Sequence, residues 1–197
     1  MTELIMVTGG AKSGKSAYAE DQLTALRRVG YVATGVLFQD DAEMARRIKR
    51  HQDRRPKTWA TCEQYRNVGA LLTENSFDGY LIDDATMLTT NLFFDAIKER
   101  AQASHEADWD VVIEALTATE LTALTTLILA EWHQVLTGAS AVSGPVIIVT
   151  NEVGLSLVPA TKQARVLRDL YGEVNQQIAA AATHVTMVVS GLPLQLK

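Results

Sequence analysis

"GGAKSGKS", Gly9 to Ser16, decides how this chain is read. It follows directly on the apolar run LIMVT, Leu4 to Thr8, and precedes a stretch that reads as helix from Ser16 to Arg28. The octapeptide fits G-x-x-x-x-G-K-[ST], with Gly9, Gly14, Lys15 and Ser16 at the specified positions. Glycines let a backbone turn several N–H groups toward one point, where an anion also meets the positive end of the following helix. Strand, loop and helix stand in the order that a phosphate cradle needs; the competing reading is a glycine-rich turn that binds nothing. In a cradle, Lys15 reaches the β- and γ-phosphates of a nucleotide and the Ser16 hydroxyl binds Mg²⁺.

Beyond this loop, short β-branched runs alternate with longer amphipathic stretches, the pattern of a mostly parallel sheet flanked by helices. Further strands are expected at Gly30–Thr34, Pro145–Thr150 and Val185–Val189, the last of these being the last buried strand. Helices are expected from Asp40, with Glu43 completing a capping box and Pro56 bounding it, and over Glu63–Thr73, Leu88–Arg100, Trp109–Leu136 and Lys162–Ala182. AQASHEAD, Ala101 to Asp108, reads as an exposed connection. The fold class is therefore α/β, as a single domain over residues 1–197.

GYLIDD, Gly79 to Asp84, is an apolar strand ending in two carboxylates. A Mg²⁺-nucleotide site needs an acid at the end of a buried strand beside the cradle, and Asp83 is the choice for the metal side. Read as structure alone, the two acids cap the next turn. Cradle and acid together indicate a nucleotide site without naming a reaction.

Composition narrows the partners. A formal net charge of -5 works against binding a polyanion over a broad surface, so no nucleic acid is expected. The single cysteine, Cys62, forms no internal disulfide or metal cluster, which suits a reducing compartment, the cytoplasm by default. No leader is expected at the N-terminus, and no apolar run reaches the roughly 20 residues of a membrane span.

One stretch runs against the acidic trend: RRIKRHQDRRPK, Arg46 to Lys57. It reads either as the solvated face of a helix, with Met44 and Ile48 inward and His51 at the margin, or as a flank that turns Arg47, His51 and Arg54 or Arg55 toward phosphate. In the second reading the imidazole is a nucleophile whose neutral form nearby cations favour. His105, His133 and His184 have no spaced partners for a metal site. Trp109 and Trp132 read as helix packing, and Trp59 as loop packing or a stacking platform. Asn151 and Glu152 follow a strand at the sheet edge where α/β proteins bind ligands.

Taken together, these segments resemble the bifunctional adenosylcobinamide kinase / adenosylcobinamide-phosphate guanylyltransferase family of cobalamin biosynthesis, almost from end to end. The resemblance is carried by MVTGGAKSGKS, YVATG (Tyr31–Gly35), DAEMARRIKRHQDRRP (Asp41–Pro56), TCE ending at Glu63, LIDDATMLTTNL (Leu81–Leu92), VTNEVGLSLVP (Val149–Pro159) and RDLYGEVNQQIAAAATHVTMVVSGLP (Arg168–Pro193). It implies a RecA-like P-loop fold, assembly as a homotrimer, and two reactions at one nucleotide site with Mg²⁺. ATP or GTP phosphorylates adenosylcobinamide; GTP then gives GMP to a histidine and on to adenosylcobinamide phosphate, yielding adenosylcobinamide-GDP and pyrophosphate. By the H-x-x-x-R-P pattern the histidine is His51, with Lys15 the other catalytic residue. The family's nucleotide contacts fall on Gly9, Gly10, Ala11, Lys12, Ser13, Gly14, Lys15 and Ser16, on Ala33, Thr34 and Gly35, on Gln52, Asp53, Arg54 and Arg55, and on Glu63 and Asp83. Ser16 and Asp83 take the metal. Where some relatives carry two adjacent histidines this chain has Arg50 and His51, and Asp84 stands where Cys is frequent. Asp84 and Glu152 are the candidate bases for the kinase step. The alternatives are a P-loop small-molecule kinase lacking guanylyl transfer, with His51 structural, and a nucleotide-dependent switch or assembly ATPase.

Overall fold

A computed structural model describes residues 3–35 and 56–197; the helix expected from Asp40, the basic stretch up to Arg55 and His51 itself lie outside them. In chain order the described elements are β1 (Leu4–Thr8), α1 (Lys15–Gln22), β2 (Val29–Ala33), β3 (Ala60–Glu63), α2 (Val68–Glu74), β4 (Gly79–Asp83), α3 (Ala85–Ser104), α4 (Trp109–Ala115), α5 (Ala118–Ala141), β5 (Val146–Val149), α6 (Lys162–Ala181), β6 (His184–Val189) and β7 (Leu192–Gln195). The strands form one sheet in the order β3-β2-β4-β5-β1-β6-β7. Every neighbouring pair is parallel except β6 with β7, so the α/β class and the mostly parallel sheet stand as expected.

Parallel strands covered on both faces read as continuous apolar runs, because both sets of alternating side chains are buried. Tyr80 and Ile82 of β4 and Met6 of β1 enter a large core shared with α2, α3, α5 and α6, around Phe93, Ile97, Ile128 and Trp132. Leu81 and Val7 point the other way, into a smaller core with Ala19 of α1, Leu23 just beyond it, Tyr31 and Trp59. Register then aligns the carboxyl ends: Glu63 pairs with Ala33, Ala33 with Asp83, Asp83 with Val149, and Val149 with Val7. One edge of the sheet thus collects the loop after β1, the acid of β4 and the ends of β2, β3 and β5.

Several boundaries differ from expectation. α1 stops at Gln22 rather than Arg28, because Arg28 is pinned at the opposite edge: its N–H donates to Asp78 Oδ2 at 2.9 Å and its carbonyl accepts from Asp78 N–H at 2.7 Å. The helix expected from Glu63 begins only at Val68; Ala60–Glu63 is instead an edge strand on β2, continued by the Gln64 N–H on Ala33 O. α3 starts earlier, at Ala85, and runs through the first half of the supposed connection until His105 takes a left-handed φ of 56°.

The long helix expected from Trp109 is two helices. Leu116 ends α4, whose Glu114 and Leu116 carbonyls accept from Lys162 Nζ, and Thr117 with Glu120 opens α5 with a capping box. Finally, β6 is the last buried strand, as expected, and an exposed edge strand follows it. Ser190 and Gly191, both at positive φ, turn the chain back into β7.

Candidate functional site

The Gly9–Ser16 loop emerges from β1 at the carboxyl edge. A Cβ at Gly9 would lie 2.4 Å from Val188 O, so no side chain fits where the loop leaves the sheet. Gly14 holds φ 96°, a left-handed geometry that glycine adopts without steric cost, and it forms the N-cap of α1 without a capping side chain. The first amides of α1 therefore have no side-chain cap from that residue and face the loop, which is how a helix start receives an anion. Two neighbours brace the loop: Glu152 N–H donates to Gly9 O at 3.1 Å, and Gly191 N–H donates to Ser13 O at 2.8 Å. Within it, Ser13 N–H donates to Gly10 O at 3.2 Å. Lys15, only 6% exposed, arches back so that Nζ donates to Gly10 O at 3.2 Å.

Across from Lys15, the Ser16 hydroxyl donates to Asp83 Oδ1 at 3.4 Å. The other oxygen of that carboxylate, Oδ2, accepts from the Tyr31 hydroxyl. Hydroxyl and carboxylate thus converge beside the cradle as a hard-oxygen pair. Among the described residues no group of three or more His, Cys, Asp or Glu could hold a metal alone. Mg²⁺ suits such a pair, since it commonly takes one or two protein oxygens and completes its shell with phosphate and water.

Asp84 points elsewhere. Its Oδ1 accepts from Met87 N–H at 2.7 Å, capping α3, and its Oδ2 accepts from Asn151 Nδ2 at 3.2 Å. Burial, and then the charge of Asp83, push the carboxyl up to about 6, against the opposing pull of Met87 N–H, Lys15 and Asn151. The capping reading of the acid pair therefore describes Asp84, and both oxygens of this candidate base are engaged. Glu152 is tied to the cradle through its backbone, while its Oε1 accepts from Gly154 N–H at 2.7 Å.

Asn151 bridges the strand ends, its side-chain amide also donating to Thr86 Oγ1 at 3.0 Å and its carbonyl accepting from Asn175 Nδ2 at 3.1 Å. Thr34 is fully buried and knits β2 to β4: its N–H donates to Asp83 O at 3.2 Å and its hydroxyl to Asp84 O at 2.7 Å. Ala33 and Gly35 are half-buried beside it, and Glu63 is exposed at the edge of the sheet. The structure therefore gathers Gly9–Ser16, Ala33–Gly35, Glu63 and Asp83 at one edge. Gln52, Asp53, Arg54 and Arg55 lie outside the described residues, as His51 does.

Trp59 is packed into the smaller core at 8% exposure, which favours packing over stacking on a ligand. His184 lies 3.6 Å from Glu3 on the surface, far in register from this edge. Sequence reasoning missed Tyr31. Its signal was a phenol inside a buried strand, since a buried hydroxyl must find a partner.

Comparison with known proteins bears on what this edge does. Residues 5–196 match the family described as "Cobinamide kinase / cobinamide phosphate guanyltransferase". The chain is 36% identical over 196 residues to the bifunctional adenosylcobalamin biosynthesis protein CobU of Escherichia coli, covering 98% of this chain and 99% of that one. It is 37% identical to CobU of Salmonella typhimurium, with 98% and 99% covered. The similarly named CobP of Pseudomonas aeruginosa is 33% identical, with 98% and 96% covered.

Proposed function

The chain belongs to the cobinamide kinase / cobinamide phosphate guanyltransferase family, and from that membership we propose that both reactions run at the single cradle formed by Gly9–Ser16, with His51 as the residue that carries GMP between them. The observation that supports this most is the convergence of Lys15, Ser16 and Asp83 at the mouth of a braced glycine loop. In the kinase step the alcohol oxygen of adenosylcobinamide attacks the γ-phosphorus of ATP or GTP, the nucleoside diphosphate leaves, and the hydroxyl proton is released to solvent. Loop amides and the Lys15 ammonium hold the phosphates in line and take up charge as it shifts to the leaving oxygen. Ser16 and Asp83 would hold Mg²⁺, which supplies further neutralisation of the β- and γ-phosphates.

In the guanylyl step an imidazole nitrogen of His51 attacks the α-phosphorus of GTP, and pyrophosphate leaves. A phosphate oxygen of adenosylcobinamide phosphate then displaces the imidazole, breaking the P–N bond and releasing adenosylcobinamide-GDP. Two displacements spare the site from holding two bulky substrates at once. Among the described residues no single helix is long and apolar enough to cross a membrane. A cytoplasmic homotrimer belongs to the same proposal.

Incubation with GTP labelled at the α-phosphate tests it. Wild type is expected to take up acid-labile, alkali-stable label, and His51→Ala to take up none. Unlabelled wild type that still phosphorylates adenosylcobinamide would leave a plain kinase. Neither label nor phosphorylation, with a partner protein bound differently in two nucleotide states, would favour a switch.

A further inference from the structure

The reading of Asp83 as the acid beside a nucleotide-bound metal leaves open what fixes its carboxylate. A carboxylate on a strand end can rotate about its last torsion, and only a narrow range of that torsion turns an oxygen to Ser16. The chain supplies a clamp on the far side. Tyr31 sits in β2, directly adjacent to β4, where it pairs in register with Leu81, two residues before Asp83. Its ring is 2% exposed and shares the smaller core with Val7, Trp59 and Leu81, so its hydroxyl is carried to a fixed point. At that point it donates to Asp83 Oδ2, while Oδ1 accepts from Ser16 at 3.4 Å.

We propose that Tyr31 is a positioning residue for metal-nucleotide binding: its hydroxyl holds the Asp83 carboxylate in the orientation that presents Oδ1 beside Ser16. The proposal rests on the cradle and acid reading above and goes beyond it, because no nucleotide or metal contact is expected of Tyr31 itself. Partners that orient a ligating group typically change metal affinity by about 10- to 100-fold when removed.

The test is the metal dependence of nucleotide binding rather than turnover. Calorimetry would measure the affinity of a non-hydrolysable GTP analogue with and without Mg²⁺, giving the ratio by which metal tightens binding. In Tyr31→Phe, which keeps the ring and its packing, metal-free affinity is expected to stay as in wild type while that ratio falls by about 10-fold. Thermal melting of the variant checks that the core survives. Asp83→Asn is the companion variant and is expected to abolish the ratio. If Asp83→Asn loses the metal effect and a folded Tyr31→Phe keeps it in full, the clamp is overturned while the metal-site reading stands. If Asp83→Asn itself keeps the wild-type ratio, the metal-site reading fails and the clamp with it.

Discussion

Asp83 and Asp84 are chain neighbours with different duties, and the difference is a matter of which way each side chain leaves the strand. Asp83 is the last residue of β4 and faces Ser16 and Tyr31; Asp84 is one step further and caps α3. The buried cap carries a cost that depends on pH. Its carboxyl is raised from 3.8 to about 6 in the fold, so between those values the folded chain keeps a proton that the unfolded chain has lost. Stability from this group is greatest below pH 4 and is lost as pH rises through 6, by about 3 kcal/mol at 1.36 kcal/mol per pKa unit. Asparagine caps a helix about as well as aspartate. Asp84→Asn in metal-free, nucleotide-free protein is therefore expected to gain stability relative to wild type as pH rises from 4 to 7. Urea denaturation across that range checks it; an unchanged difference at all pH values would contradict the buried, raised carboxyl. At this scale the sequence displayed Lys15, Ser16 and the acid pair, with Asp83 chosen for the metal side, but not that Asp84 alone is the cap, which depends on tertiary partners such as Asn151.

At the scale of elements, the tightest crossing is between α2 and α5, where backbone meets backbone. A Cβ at Gly138 would lie 2.4 Å from Gly69 O, and one at Gly69 would lie 2.3 Å from Gln134 O. Gly138→Ala is expected to force the helices apart and cost about 1–3 kcal/mol. Gly172, exposed in the middle of α6 with nothing within 4 Å of a built Cβ, provides the opposite case. Gly172→Ala is expected to stabilise the protein by about 0.5–1 kcal/mol through helix propensity. Chemical denaturation of both variants checks the pair, and equal effects would contradict the packing described. The buried strands and α6 were legible because strands covered on both faces are continuous apolar runs and an amphipathic helix writes its period into the chain. β3 and β7 were not: four-residue edge strands with exposed positions lack an apolar run, and pairing with β2 and β6 makes them strands. The break between α4 and α5 had a signal, Thr117 with Glu120, that the apolar period on either side outweighed.

For the whole molecule, the sheet order places β5 between the strand that feeds the cradle and the strand that ends in Asp83. The loop after β5 spans that gap, bound to Gly9 O through Glu152 and to Asp84 through Asn151. Legibility of the cradle came from a local motif, whereas strand order is a long-range property that local pattern does not carry. The central claim is that one nucleotide seat serves both reactions. The most direct measurement of it is to assay Lys15→Ala for phosphorylation of adenosylcobinamide and, separately, for guanylyl transfer to preformed adenosylcobinamide phosphate. A shared seat predicts that both rates fall together, each by roughly 100-fold or more, as for the loss of one preorganised donor. A variant that loses the kinase step but transfers GMP at the wild-type rate would contradict it.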